Sequence, residues 1–240
     1  MKNTFSLTKQ ITATSIDYEN KMRFDTLLSS FQDTAIFHSN EMGVGFYDLL
    51  KTSNAIWVLT KIKLYAPKMP LLTENVEFST YPTDISAFRF IREFTALGDM
   101  GANAVGHSEW CLLDATSKSL RKSDSIVYPF DIVRRTDNVG LSFDNMRYDA
   151  TNYVYTYTVK LTDIDCNKHT NNVAYARMAL NSFSIEEYDS YNFTTFEIKF
   201  MAQSYFSDEI EIYKNKLDEN RVFILGKIND KSIFSVLLSK

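Results

Sequence analysis

Residues 162–178 read TDIDCNKHTNNVAYARM. Asp163, Asp165, Asn167, His169, Asn171 and Asn172 crowd into ten consecutive positions between an apparent strand and the start of a helix. A strand end feeding a helix N-terminus can gather acids, amides and an imidazole around a small reacting group. The amides at that helix end also favour developing negative charge. The chain has three histidines, so an imidazole inside such a polar cluster marks it as a candidate site.

The same stretch has an echo early in the chain. Residues 14–31, TSIDYENKMRFDTLLSSF, align with residues 162–179 at an offset of 148, TSID over TDID. Asp17 then falls on Asp165, Glu19 on Asn167 and Lys21 on His169. Both segments run into amphipathic patterns: Phe24, Leu28, Phe31 and Ala35 in the first, Val173, Ala176, Leu180 and Phe183 in the second. Ile62-Lys63-Leu64 and Ile198-Lys199-Phe200 resemble each other further on. The shared order of strand, polar loop, helix and strands points to duplication. On that reading the second half keeps a titratable site and the first half has lost it.

Composition sets the frame. A chain of 240 residues, 45% of them hydrophobic, supports one large domain or two packed small ones. Seven Gly and four Pro argue against a disordered linker. No apolar run approaches the roughly 18 residues of a membrane span. The opening MKNTFSLTKQITA lacks an apolar signal core and reads as a strand. Cys111 and Cys166 do not make a disulfide framework. The expected location is the cytoplasm. A net charge of −4 argues against general nucleic-acid binding.

Alternation and punctuation predict strands near 4–13, 55–66, 74–82, 87–98 and 103–114, and again near 151–161, 194–204, 208–215, 221–229 and 232–238. A helix is expected over about 23–41, ending before Gly43, with a short helical turn at 45–51. Each half is then β-α-β-β-β-β. The fold class is α+β: two tandem domains, each a long helix wrapped by an antiparallel β-sheet. The expected boundaries are 1–120 for the N-terminal domain, 121–148 for a connecting segment and 149–240 for the C-terminal domain with the polar loop.

Taken together, these segments resemble the acyl-ACP thioesterases, the plant and bacterial family of two fused hotdog domains. The D-x-N-x-H-x-N-N pattern is matched by Asp165, Asn167, His169, Asn171 and Asn172, with Tyr175 following. The first half carries QDTAIFHSNEMGVG, AIWVLT with Trp57, and HSEWCLLDATSKSLRK with Ser108, Trp110 and Asp114. The resemblance implies hydrolysis of a fatty acyl thioester on acyl carrier protein (ACP), releasing free fatty acid and ending fatty-acid synthesis. It also implies a catalytic glutamate in a segment aligned with FEIKFMAQSYFSDEI, where this chain has Gln203. An acyl-CoA thioesterase of the same fold and a non-catalytic acyl-binding hotdog protein remain as alternatives.

Thioester hydrolysis needs a nucleophile or activated water and a polarised carbonyl, while the thiolate leaves readily. Asp165 is the candidate nucleophile or general base, His169 the proton-transfer group, Asn167 an orienting amide, and Gln203 a hydrogen-bonding stand-in that cannot take a proton. Against this, Asp165 and Asn171 have a common structural role, satisfying loop and helix-cap amides. A thiolate at Cys166 activated by His169 is a rival mechanism. Cys166, His169 and Asp163 lack zinc-ligand spacing, so neither a metal nor a cofactor is expected. His38 reads as a packed histidine, and His107 has no constellation around it in the sequence.

Trp57, Phe46 and Met42 are candidates for lining an acyl pocket, with Asn171 a weaker candidate for substrate contact. The same aromatic and Met spacing also describes plain core. Lys118, Arg121, Lys122, Arg134 and Arg135 make the connection locally basic, which suits an acidic carrier protein or a solvated loop equally. The expected partner is an acyl carrier protein bearing a fatty acyl chain, with a homodimer left open and no nucleic acid or membrane span.

Overall fold

The computed structural model describes residues 3–128 and 139–240. The chain forms two compact units, Met1–Ser142 and Phe143–Lys240.

In the first unit, strands β1 (Phe5–Gln10), β2 (Ala55–Lys68), β3 (Asn75–Ile85), β4 (Phe90–Gly98) and β5 (Asn103–Asp114) pair antiparallel in the order β1-β3-β4-β5-β2. The two-residue β6 (Leu120–Arg121) adds to β5. Helix α1 (Phe24–Glu41) lays Phe24, Leu27, Leu28, Phe31 and Ala35 into the core. Phe31 stacks on Phe94 at 4.9 Å and meets Phe78 edge-on at 6.1 Å. Gly106 on β5 makes room for it, because a Cβ there would sit 2.9 Å from the Phe31 ring. Burying a ring of this size stabilises the unit by about 1.5–3 kcal/mol.

The end of α1 is the predicted one. Gly43, at φ +71°, donates to Asn40 O at 3.0 Å, and Val44 donates to Ser39 O at 3.0 Å. This is the paired closure of a Schellman motif, which needs a residue comfortable in the left-handed region. Helix α2 (Phe46–Ser53) follows and ends at left-handed Asn54.

The second unit repeats the plan. Strands β7 (Tyr153–Thr158), β8 (Thr195–Phe200), β9 (Glu209–Lys216), β10 (Arg221–Ile228) and β11 (Lys231–Ser239) pair antiparallel as β7-β9-β10-β11-β8. Counted within each unit, both sheets run first-third-fourth-fifth-second, so the duplication read from residues 14–31 and 162–179 extends to the topology.

Three expectations are corrected here. The second helix is not long: α3 (Asn172–Leu180) has nine residues and α4 (Ile185–Tyr191) follows after a break. Ser182 Oγ donates to Ala179 O at 2.7 Å, and Ser184 accepts from Glu187 N as the cap of α4. Short polar side chains here compete with helix propagation. The buried residues of α3 are Ala174, Tyr175, Ala176, Met178 and Ala179, a stripe rotated from the expected one through Val173 and Leu180. The strand expected to reach residue 204 stops at Phe200. Met201 and Ala202 both donate to Ile233 O, and the chain turns away from the ladder.

The expected connection is divided. Ile126 and the half-buried Tyr128 join the core of the first unit, whereas Met146 and Tyr148 pack with Ala150, Phe223 and Leu225 in the second. Arg134 and Arg135 lie outside the described residues. Among the described residues, no helix is long and apolar enough to cross a membrane.

Candidate active site

The loop before α3 is shaped by its own backbone. A 3₁₀ turn at Leu161–Asp163 leads to a bridge between Ile164 and Thr170, which pinches off residues 165–169. Asp165 N donates to His169 O at 2.9 Å, and Lys168 N donates to Asp165 O at 3.0 Å, with Lys168 at φ +64°. Asp165 Oδ1 accepts from Asn167 N at 2.8 Å and more loosely from His169 N at 3.4 Å. That is the Asx-turn role of an aspartate. Among the described residues, Oδ2 accepts no hydrogen bond. One oxygen of Asp165 therefore shapes the loop while the other is available for chemistry.

His169 is half-buried, and its ring meets the exposed Tyr205 edge-on at 5.2 Å. Asn167 and Cys166 are exposed at the turn. Asp163 lies beneath and is buried. Its Oδ2 accepts from Tyr157 Oη at 2.8 Å and Lys160 N at 2.9 Å, and Arg177 Nη1 stands 4.0 Å from Oδ1. Burial, and then the bond to the Asp163 carboxylate, raise the Tyr157 phenol above its ordinary pKa. Asp163 thus braces the loop. Asn171 is the N-cap of α3, accepting from Val173 N at 2.8 Å, and Asn172 is the first helical residue.

The segment after β8 closes on this loop. Thr170 N and Oγ1 both donate to Ser204 O, at 2.9 and 3.1 Å, and the Thr170 and Ser204 hydroxyls are 2.7 Å apart. Tyr175 Oη lies 2.8 Å from Ser204 Oγ and accepts from Ser204 N at 3.0 Å. Gln203 is exposed one residue before this buried knot, and Tyr205 follows it. Asp165, Asn167, His169 and Gln203 therefore lie on two adjoining segments. Thr170, Ser204 and Tyr205 are polar or aromatic neighbours that sequence reasoning missed, and Tyr175 was noticed without a role. Only Tyr175, a hydroxyl among the buried residues of α3, carried a local signal.

The first unit builds the same loop with other side chains. Ile16 bridges Met22, Asp17 N donates to Lys21 O, and Asp17 Oδ1 accepts from Glu19 N at 2.9 Å and Lys21 N at 3.0 Å. Where the second unit has Asn167 and His169, Glu19 and Lys21 form an ion pair at 2.8 Å.

Of the acyl-pocket candidates, Met42 and Trp57 share one apolar cluster with Val44, Leu49, Phe90 and Leu112. Trp57 Nε1 donates to Val44 O at 2.8 Å, and its ring meets Phe90 edge-on at 4.7 Å. Phe46 is not brought into that cluster; it is half-buried and packs against Tyr47. The sequence segment with Ser108 and Trp110 serves a buried polar chain, Trp110 Nε1 to Ser108 Oγ to Arg92 O. Arg92 Nη1 lies 2.9 Å from His38 Nδ1 and 3.2 Å from Thr80 Oγ1, so His38 is packed as expected. His107 departs from expectation: its Nδ1 is 3.4 Å from the buried Glu93 carboxylate across the β4–β5 pair. Arg121 is held by Ser53 O and Asp114, while Lys118 and Lys122 are exposed. Among the described residues, no group of three or more His, Cys, Asp or Glu is arranged to hold a metal ion.

Comparison with known proteins places both units. The model of the acyl-ACP thioesterase N-terminal domain matches residues 2–128, and that of the C-terminal domain matches residues 147–232. A palmitoyl-acyl carrier protein thioesterase of Gossypium hirsutum chloroplasts is 23% identical over 217 residues, covering 83% of this chain and 52% of that protein. The chloroplastic acyl-[acyl-carrier-protein] hydrolase FATB3 of Cuphea viscosissima is 21% identical over 190 residues, covering 73% of this chain and 46% of that protein. The chain thus spans about half the length of the curated relatives it matches. In fold, it is similar to an acyl-ACP thioesterase crystal structure from Bacteroides thetaiotaomicron, with a TM-score of 0.89 and 21% identity, covering 99% of this chain and 97% of that one.

Proposed function

Because the chain belongs to the acyl-ACP thioesterase family, we propose that it hydrolyses a fatty acyl thioester on acyl carrier protein, giving free fatty acid and the carrier thiol. Water adds to the thioester carbonyl, the C–S bond breaks, and the thiolate takes up a proton. Asp165 Oδ2 is the group that attacks the carbonyl or takes the proton from water. His169 moves a proton between water and the departing sulfur. Asn167 and Gln203 orient water or the carbonyl by hydrogen bonds. The observation that carries this reading is the divided Asp165 carboxylate beside His169, in a loop whose twin keeps the turn but closes it with a Glu19–Lys21 pair.

On this proposal the first unit is the acyl-chain side, with Met42 and Trp57 in its apolar cluster, and the second unit carries catalysis. The protein acts in the cytoplasm on an acidic carrier, with exposed Lys118 and Lys122 available for docking. Incubation of the purified protein with acyl-ACP and with the matched acyl-CoA tests the reading. Faster release of fatty acid from the carrier supports it, and preference for the CoA ester overturns the choice of substrate.

A further inference from the structure

The knot beneath the loop is more polar than the fold requires. Tyr175, Ser204 and Thr170 are all buried, at 2%, 0% and 4% exposure, and four of their mutual contacts involve a side-chain hydroxyl on each side or a hydroxyl and a backbone group. The first unit makes the same junction without any of them. There, Met22 N donates to Pro70 O at 2.7 Å, as Thr170 N does to Ser204 O. Met22 occupies the place of Thr170, and Leu27 the place of Tyr175, at the offset that relates the two loops. Both are buried apolar side chains. Two backbone hydrogen bonds, Met22 N to Pro70 O and Leu72 N to Asn20 O at 3.0 Å, with apolar packing, therefore close this architecture without a hydroxyl from either position. The hydroxyl network is added only in the unit that carries His169.

We infer that Tyr175, acting through Ser204 and Thr170, is a positioning residue that fixes His169 and Gln203 relative to each other; this rests on the thioesterase reading above. The Tyr175 ring is held by Phe234 at 5.2 Å and Phe200 at 6.1 Å, so its hydroxyl projects from a rigid base. That hydroxyl binds both the backbone and the side chain of Ser204. Ser204 stands between Gln203 and Tyr205, and Tyr205 is the ring against which His169 rests. Thr170, the other end of the knot, directly follows His169. Two segments that must be aligned for chemistry are thus tied together next to the groups that perform it. In a dry site such bonds are stronger and reinforce one another. Burial raises the Tyr175 phenol above its ordinary pKa, and its hydroxyl accepts from Ser204 N while sharing a proton with Ser204 Oγ.

The test compares Tyr175→Phe and Thr170→Val with two controls. Thr170→Ser restores the hydroxyl. Tyr155→Phe removes another hydroxyl bond to the same helix, Tyr155 Oη to Met178 O at 2.6 Å, which shares no partner with the knot. Acyl-ACP hydrolysis and the imidazole NMR signals of His169 are both measured. We expect kcat to fall about tenfold or more in Tyr175→Phe and Thr170→Val with KM within about twofold, the signature of misplacement rather than lost binding. The His169 signals should shift or broaden in the same two variants, while Thr170→Ser and Tyr155→Phe resemble wild type. Unchanged kcat and unchanged His169 signals in folded Tyr175→Phe would overturn the inference, as would equal losses in Tyr155→Phe. If wild-type protein hydrolyses no acyl-ACP, the functional reading fails. The His169 signals then decide the positioning inference alone: moved signals support it and unmoved signals overturn it.

Discussion

Asp17 and Asp165 do the same structural work in their separate units. Each places Oδ1 on the amides two and four residues ahead, at 2.9 and 3.0 Å for Asp17 and 2.8 and 3.4 Å for Asp165. In both units the aspartate serves the backbone turn through one carboxylate oxygen. What differs is the company it keeps: Glu19 and Lys21 in one unit, Asn167 and His169 in the other.

This separates two roles of one side chain. Asp165→Asn retains an acceptor for the turn and removes the charge. We expect its thermal midpoint to stay close to wild type while turnover falls by about 10²-fold or more, the scale of a lost acid–base group. Asp17→Asn should leave turnover nearly intact. Thermal melts with acyl-ACP assays check both, and comparable turnover losses in the two variants would assign Asp165 to structure alone.

Gln203 is exposed and precedes the Ser204 knot, so an amide there can orient water without carrying a proton. Gln203→Glu should therefore change turnover by less than about tenfold, roughly 1.4 kcal/mol in the barrier. A gain of several hundredfold on the same acyl-ACP would mean that a carboxylate at 203, not Asp165, is the base the site lacks.

The loop, its duplication and the order of elements were legible in the sequence because local chemistry sets them. Asp165, Lys168 and the residues after them encode a turn, and Gly43 encodes the end of α1. The stop of β8 at Phe200 was not legible, since MAQSYF continues a plausible strand pattern. It is decided by Thr170 and Tyr175, some thirty positions earlier, which draw Ser204 out of the ladder. The partner of His107 is hidden from the sequence for a similar reason, because Glu93 reaches it through β4–β5 register.

Asn171 caps α3 with one charge-free hydrogen bond. Asn171→Ala should destabilise the protein by about 1 kcal/mol, read as a lower denaturant midpoint at unchanged slope. Asn171→Ser should recover most of it. Loss of turnover in Asn171→Ser at full stability would instead give the amide a role at the substrate.

The two cysteines should be distinguishable by reactivity. Cys166 is exposed, whereas Cys111 is buried, and desolvation followed by the nearby Glu109 pushes its pKa up to about 11. A thiol reagent at pH 8 should modify Cys166 first and Cys111 only on unfolding. Because the folded-state pKa lies above that of an ordinary thiol, the contribution of Cys111 to stability is full below about pH 9 and is lost as pH rises toward 11. Cys166→Ser should retain most turnover. Near-complete loss in that folded variant would favour a thiolate nucleophile.

The central claim is that the armed loop of the second unit hydrolyses acyl-ACP. The direct measurement is fatty-acid release from a panel of acyl-ACPs of different chain lengths by wild type, His169→Ala and Lys21→Ala. Wild type and Lys21→Ala should release free acid at similar rates, with His169→Ala slower by about 10²-fold or more. No release by wild type from any acyl-ACP, or equal losses at Lys21 and His169, would contradict it.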